Sequence, residues 1–308
     1  MSRWLALFLL LPSALWGTNF YVTVSGLGGE PDYEQRFTAY AQDLDKILKE
    51  AGGGSRVETL HGAAATRDRL TSVLNGISAS AKPADALVIM LIGHGTYDGT
   101  NYKMNLPGKD ISASEVGALL DKIPASRQLV VNMTSASGAS LDVLKKEGRV
   151  VITATRAGTE KNATVFARYW VEALRDAAAD VDKNQMVSAL EAFRYADEKT
   201  AKFYETQKRL ATEHALLEDT GKGEGVRAPA PENGSGLQAS RFALLRLGAA
   251  QIAANTPEKR ALLERKEELE QQIDKLKYEK AAMPITEYKQ QLTQLLIELA
   301  KTQAELEK

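Results

Sequence analysis

The chain contains no cysteine and only three histidines, His61, His94 and His214. Without thiols there is no disulfide framework and no thiolate-bound metal, and three scattered imidazoles argue against a histidine-rich metal centre. No resident metal and no cofactor are therefore expected. An excess of either charge is also missing: 39 basic residues stand against 40 acidic ones in 308. That balance lacks the electrostatic footprint of a protein that binds nucleic acid or an anionic membrane. Long apolar runs are absent too. The longest lies near the N-terminus and falls short of the roughly 20 residues a spanning helix needs, so no stable membrane span is expected.

That N-terminal run has a different use. Arg3 precedes the apolar residues 4–11, and Pro12-Ser13-Ala14-Leu15-Trp16-Gly17 ends the stretch with small residues. A charged start, an apolar middle and a small-residue end are the parts of a secretory leader. The pattern predicts a leader over 1–17, a mature chain beginning near Thr18, and a periplasmic or secreted location. A buried first strand or helix is the alternative reading of the same residues.

Short β-branched runs then alternate with helical spacing. Strands are predicted at 19–24, 56–60, 87–92, 129–133 and 149–155. Between them, Pro31 opens a helix whose Phe37, Tyr40, Ala41, Leu44, Ile47 and Leu48 share one face up to Gly52. Further helices are expected over 66–78, after Ser112 or Ser114 to about Ile123, and around 141–146, with an added ribbon at 102–106. This rhythm predicts an α/β fold: a mainly parallel sheet with helices on both faces, filling one domain over 18–250. Residues 163–215 read as a long, mostly helical stretch, 220–238 as a flexible glycine- and proline-rich surface loop, and 242–247 as a last strand or helix. The acidic, glycine-bearing residues 217–225 do not make a calcium loop, because Gly221 and Lys222 break the ladder of oxygen ligands.

From Pro257 the pattern changes. Leu262, Leu269, Ile273, Leu276 and Met283 form one apolar seam, and Tyr288, Leu292, Leu295 and Leu299 form another, with Pro284 breaking the helix between them. Residues 257–308 are thus predicted to be a coiled-coil-like helical hairpin. Two helices alone bury little surface, so the hairpin must pack on the body, on a second copy or on another protein, and self-association through 257–308 is expected.

Two strand ends carry the chemistry. One apolar run delivers Gly93-His94-Gly95, and the next delivers Thr134-Ser135-Ala136-Ser137-Gly138. Open α/β sheets bind ligands at such C-terminal strand ends. The pair resembles the catalytic centre of the caspase-fold cysteine peptidases, and most closely of a secreted, bacterial-type member of the legumain family. There a His-Gly follows one strand, and an Ala-Cys-x-Ser-Gly or similar sequence follows the next. The resemblance covers roughly residues 19–225 and implies a caspase-like sheet. It makes His94 the proton-handling residue, puts Ser135 at the place of the nucleophilic cysteine, and makes the N–H groups of Gly95 and Ser135 the oxyanion donors. Residues 32–36, Asp-Tyr-Glu-Gln-Arg, resemble the Asn-Tyr-Arg-His stretch that opens the first legumain helix. Asp32 then falls at the asparagine that supports the histidine. Glu34 falls where legumains carry an arginine, so asparagine specificity is not implied.

The serine is the departure that matters. A cysteine ionises readily beside a histidine, whereas a serine hydroxyl must lose its proton during attack. The leading expectation is a non-catalytic peptidase-fold module that binds a peptide or protein partner. The alternative is a hydrolase in which Ser135, His94 and Asp32 act as a serine triad. Asp98 is a second carboxylate near His94 that also suits a turn, and Ser137 becomes the nucleophile if the register differs by two. Asn105 and Arg156 fall near the rim, while His61 and His214 read as ordinary packing or surface residues.

Overall fold

The computed structural model describes residues 17–51, 54–253 and 256–308. The leader predicted over 1–17 lies outside the described residues apart from Gly17. In chain order the first half contains β1 (Asn19–Ser25), α1 (Pro31–Glu50), β2 (Arg56–Leu60), α2 (Arg67–Ser80), β3 (Ala86–Ile92), β4 (Gly95–Tyr97), β5 (Tyr102–Met104), β6 (Ile111–Ser112) and α3 (Ala113–Leu120). There follow β7 (Arg127–Asn132), α4 (Leu141–Leu144), β8 (Arg149–Thr153), α5 (Phe166–Ala173), β9 (Met186–Ser188), α6 (Ala189–Thr206) and β10 (Leu216–Glu218). The chain closes with α7 (Leu237–Ser240), β11 (Ala243–Arg246), α8 (Gly248–Ala253), α9 (Pro257–Glu279) and α10 (Ile285–Leu306).

The central sheet has the order β2-β1-β3-β7-β8-β10, parallel throughout except for the antiparallel edge strand β10. Strand β3 is buried along its whole length, which is why its sequence is an uninterrupted apolar run of Ala, Leu, Val, Ile and Met. Its side chains divide by alternation. Val88 and Met90 join Tyr21, Val131 and Ile152 against Phe37 and Leu44 of α1, Phe166 and Trp170 of α5 and Phe193 of α6. Leu87, Ile89 and Leu91 join Val22, Val130 and Val151 against Leu70 of α2, Leu120 of α3 and Leu144 of α4. Helices therefore cover both faces, as the alternation predicts. Ser112, not Ser114, caps α3 in a reciprocal capping box with Glu115.

Two segments differ from expectation. The stretch 163–215 carries helices but is not continuous: α5 ends at Ala173, and β9 pairs antiparallel with β11 before α6 begins. The apolar Val187, which fits a helical face in the sequence, is spent on that ribbon opposite Leu245. The loop over 220–238 is tied down by two buried carboxylates. Glu218 accepts from the N–H groups of Thr220, Gly221 and Gly223, and Asp219 from those of Gly236, Gln238 and Ala239.

Helices α9 and α10 form the antiparallel hairpin, bridged by Arg265 to Glu298 at 2.7 Å and by Lys259 Nζ to the Leu306 carbonyl at 3.2 Å. The hairpin packs on the body: Arg246 of β11 grips Glu267 through two bonds of 2.8 and 3.0 Å, and Gln271 exchanges bonds with Arg241. The inner seam of α9 uses Leu263 in place of the predicted Leu262, together with Leu269, Ile273 and Leu276. Among the described residues no helix is long and apolar enough to cross a membrane.

Candidate functional site

Strands β3 and β7 are neighbours in parallel register, with Leu91 opposite Asn132. Their following turns therefore emerge side by side at the C-terminal edge of the sheet, and His94 and Ser135 lie in adjacent turns. Contact is closest between Gly95 and Ser135. A Cβ at position 95 would sit 2.5 Å from the Ser135 carbonyl oxygen, 2.6 Å from the Tyr102 ring and 2.8 Å from Thr134 Oγ1. Only glycine fits there. The Gly95 N–H donates to Ser135 Oγ at 3.1 Å, and that hydroxyl contacts the Gly95 carbonyl at 3.3 Å. Ser135 is 1% exposed, and the turn continues through Ala136 in the left-handed region, at φ 57°.

His94 is held from the other side. Its Nε2 lies 3.1 Å from the Gly28 carbonyl oxygen in the loop after β1. Tyr33 and Phe37 of α1 pack edge-on against the imidazole, with centroids 5.0 and 5.2 Å away. Burial lowers the imidazole pKa below its ordinary range, opposed by the Gly28 carbonyl and by the charge of Glu30. The neutral ring is thus favoured. Among the described residues no hydrogen bond joins His94 to Ser135.

The other candidates are placed as follows. Asp32 is exposed in the first turn of α1 and is not a hydrogen-bond partner of His94. Glu34, two residues further, accepts from the Gly28 N–H at 2.8 Å and so anchors the residue whose carbonyl meets the histidine. Asp98 accepts from Thr100 and Asn101 N–H groups in a local turn, and those two bonds lower its pKa. Ser137 is buried and engages Thr155, joining the turn after β7 to the one after β8. Asn105 donates its N–H to the His94 carbonyl and accepts from Leu27, while its side-chain oxygen is buried without a partner. Arg156 is exposed, and its backbone N–H donates to Glu160. His61 is half-buried just before a short 3-10 turn.

A polar network underlies the site. Asn132 Oδ1 accepts from Thr134 Oγ1 at 2.8 Å and Tyr102 OH at 3.2 Å, while its Nδ2 donates to Ser140. Burial pushes the Tyr102 phenol up to about 12, so it stays protonated as a donor. Sequence reading missed a second group beside the Ser135 turn. His214 Nδ1 meets Glu160 Oε1 at 2.5 Å, and the Glu160 carbonyl accepts from the Ala136 N–H. Nearby, burial pushes the Glu213 carboxyl up to about 7, although Val165, Phe166 and Tyr204 all donate to it. No local signal announces this cluster, because 54 residues separate Glu160 from His214.

No family profile matches the chain, and no curated protein matches it. Solved structures resemble it at low sequence identity. The initiator caspase Dronc of Drosophila is 12% identical, with 68% of this chain and 82% of that one covered at a TM-score of 0.47. A Geobacter sulfurreducens protein, GSU0716, is 12% identical over 70% of this chain and 95% of its own, at 0.44. Caspase-1 from Spodoptera frugiperda is 11% identical over 66% and 86%, at 0.45.

Proposed function

We propose that this chain is a caspase-like, legumain-type peptidase-fold protein that does not cleave peptides and serves as a peptide- or protein-binding module in the periplasm or outside the cell. One observation carries the reading. The Gly95 N–H, the donor that would hold a developing oxyanion, is spent on Ser135 Oγ. Oxyanion stabilisation needs that donor aimed at empty space where the substrate oxygen will arrive. The would-be nucleophile fills this space instead, and its hydroxyl is returned to the Gly95 carbonyl rather than to a base. His94 meets Gly28 and has its charged form disfavoured by burial.

The caspase-like part is supported by the strand order with its antiparallel edge, and by histidine- and serine-bearing turns on adjacent central strands. The leader-like residues 1–17 support the location. The test is fluorophosphonate labelling of the purified mature protein beside Ser135→Ala, together with asparaginyl, aspartyl, arginyl and lysyl peptide reporters. Neither labelling nor turnover is expected. Labelling or turnover that disappears in Ser135→Ala would establish the hydrolase reading instead.

A further inference from the structure

Far from the Ser135 turn, the segment between α5 and α6 carries oxygen side chains in a particular order. Asp180, Asp182, Asn184, Ser188 and Glu191 stand at places 1, 3, 5, 9 and 12 of a twelve-residue stretch. That is the ladder by which a helix-flanked loop wraps a calcium ion, with alternating oxygen ligands closed by a bidentate glutamate. The sixth place of such loops takes glycine for its sharp turn. Here Gln185 adopts the required left-handed backbone, at φ 68°. Ser188 then caps α6, so the outgoing helix starts where the loop's tenth place requires.

The fold gathers these groups. Carboxylate oxygens of Asp180, Asp182 and Glu191 lie within 4.8 Å of one another. Like charges held so close repel, and among the described residues no lysine or arginine forms an ion pair with any of the three. Lys183 Nζ reaches the Asp180 backbone carbonyl, Lys266 pairs with Glu270, and Arg194 is turned to the Pro229 carbonyl.

A separate observation concerns Asn184. Its Nδ2 donates to Asp182 Oδ2 at 3.1 Å, while its Oδ1 is sealed from solvent and has no hydrogen-bond partner. An amide oxygen buried beside a carboxylate without a donor is costly, and a cation is the ligand that relieves it. Met186 supplies a further oxygen. The Gln185 carbonyl accepts from Leu247 N–H in the β9–β11 ribbon, so by strand alternation the Met186 carbonyl points away from β11.

We propose that residues 180–191 form a calcium-binding loop, with ligands from the side chains of Asp180, Asp182, Asn184 and Glu191 and the carbonyl of Met186. The flexible, many-oxygen ligand set suits calcium over the smaller, strictly octahedral magnesium. The ion would clasp the start of α6 to the β9–β11 ribbon, on which α9 docks through Arg246 and Glu267.

The experiment is calorimetric titration of the chelator-treated full mature chain with calcium chloride and, separately, magnesium chloride, alongside Asp182→Ala and Glu191→Gln. One calcium per chain is expected, with a Kd on the order of 10⁻⁵–10⁻³ M and at least about tenfold preference over magnesium. Both variants should weaken binding by about tenfold or more with unchanged circular dichroism. Glu191 also caps α6, so if its variant misfolds, Asp182→Ala, an exposed position, decides alone. Absence of binding at about 10 mM calcium overturns the proposal. So does undiminished affinity in a folded variant, or magnesium binding as tight as calcium.

Discussion

Gly95 and Ser135 hold each other across the ends of two neighbouring strands, the Gly95 N–H donating to Ser135 Oγ at 3.1 Å and the hydroxyl donating to the Gly95 carbonyl at 3.3 Å. On the proposed reading, the pair closes the place where a peptidase would receive its substrate carbonyl. Its two members should respond differently to substitution.

Ser135→Ala removes one hydroxyl and leaves the Gly95 N–H buried without an acceptor, which should cost about 1–2 kcal/mol. Gly95→Ala forces a methyl against the Ser135 backbone and the Tyr102 ring and should cost more, about 3 kcal/mol or outright failure to fold. Urea denaturation of the two variants gives the order. A Gly95→Ala protein as stable as the parent would mean that the turns are not packed as described.

Ser135→Cys places a thiol at the position the proposed reading gives to a nucleophile, yet that position is 1% exposed and burial favours the neutral form of the neighbouring imidazole. A thiol buried without a cation beside it has a raised pKa. Iodoacetamide should therefore alkylate this variant more slowly than it does a free small thiol at pH 7.5. Faster alkylation would reveal an activated site.

Glu213 predicts a pH effect with a definite sign. Its carboxyl is pushed up from 4.5 to about 7 in the folded protein, so between those values the folded state holds a proton that the unfolded state has lost. This contribution is fully present below about pH 4.5 and fades as pH rises through about 7, a total of about 3 kcal/mol. Melting temperatures of the parent and of Glu213→Gln, which stays neutral at every pH, should lie closest at pH 5 and separate toward pH 8 as the parent alone loses stability. Parallel curves would refute the assignment.

The hairpin's grip on the body should be measurable at one pair. Glu267→Ala strands the mostly buried Arg246 guanidinium and should cost about 2–3 kcal/mol, seen as a lower denaturation midpoint. An unchanged midpoint would show that the apolar residues of α9 alone dock the hairpin.

Much of the sheet was readable because strand burial imprints itself on sequence. The run of residues 86–92 is apolar throughout because both its faces are covered, and its alternation with helical spacing foretold a mainly parallel sheet. The three-residue strands β9 and β10 were not readable, since a strand so short leaves no periodicity and exists only by pairing with distant β11 and β8. The resemblance gives Asp32 the role of orienting His94, yet it is Glu34 that holds the Gly28 N–H. A difference of two residues on a helix turns the side chain to another side, and only docking selects which side faces the loop. The oxygen ladder of residues 180–191 was open to reading as well, but Gln185 stands at the place where a glycine would have drawn attention to it.

The sequence by itself determined the two strand-end turns, the small residues that let them meet and the want of any thiol, because these depend on residue type and local spacing alone. Tertiary structure decided what each polar atom faces. Ser135 Oγ meets Gly95 across 40 residues and His94 Nε2 meets Gly28 across 66. Such pairings are set by strand register and by how the loop after β1 folds over the sheet edge, and a hydrogen bond's short reach makes them turn on ångström-scale placement that no local pattern encodes.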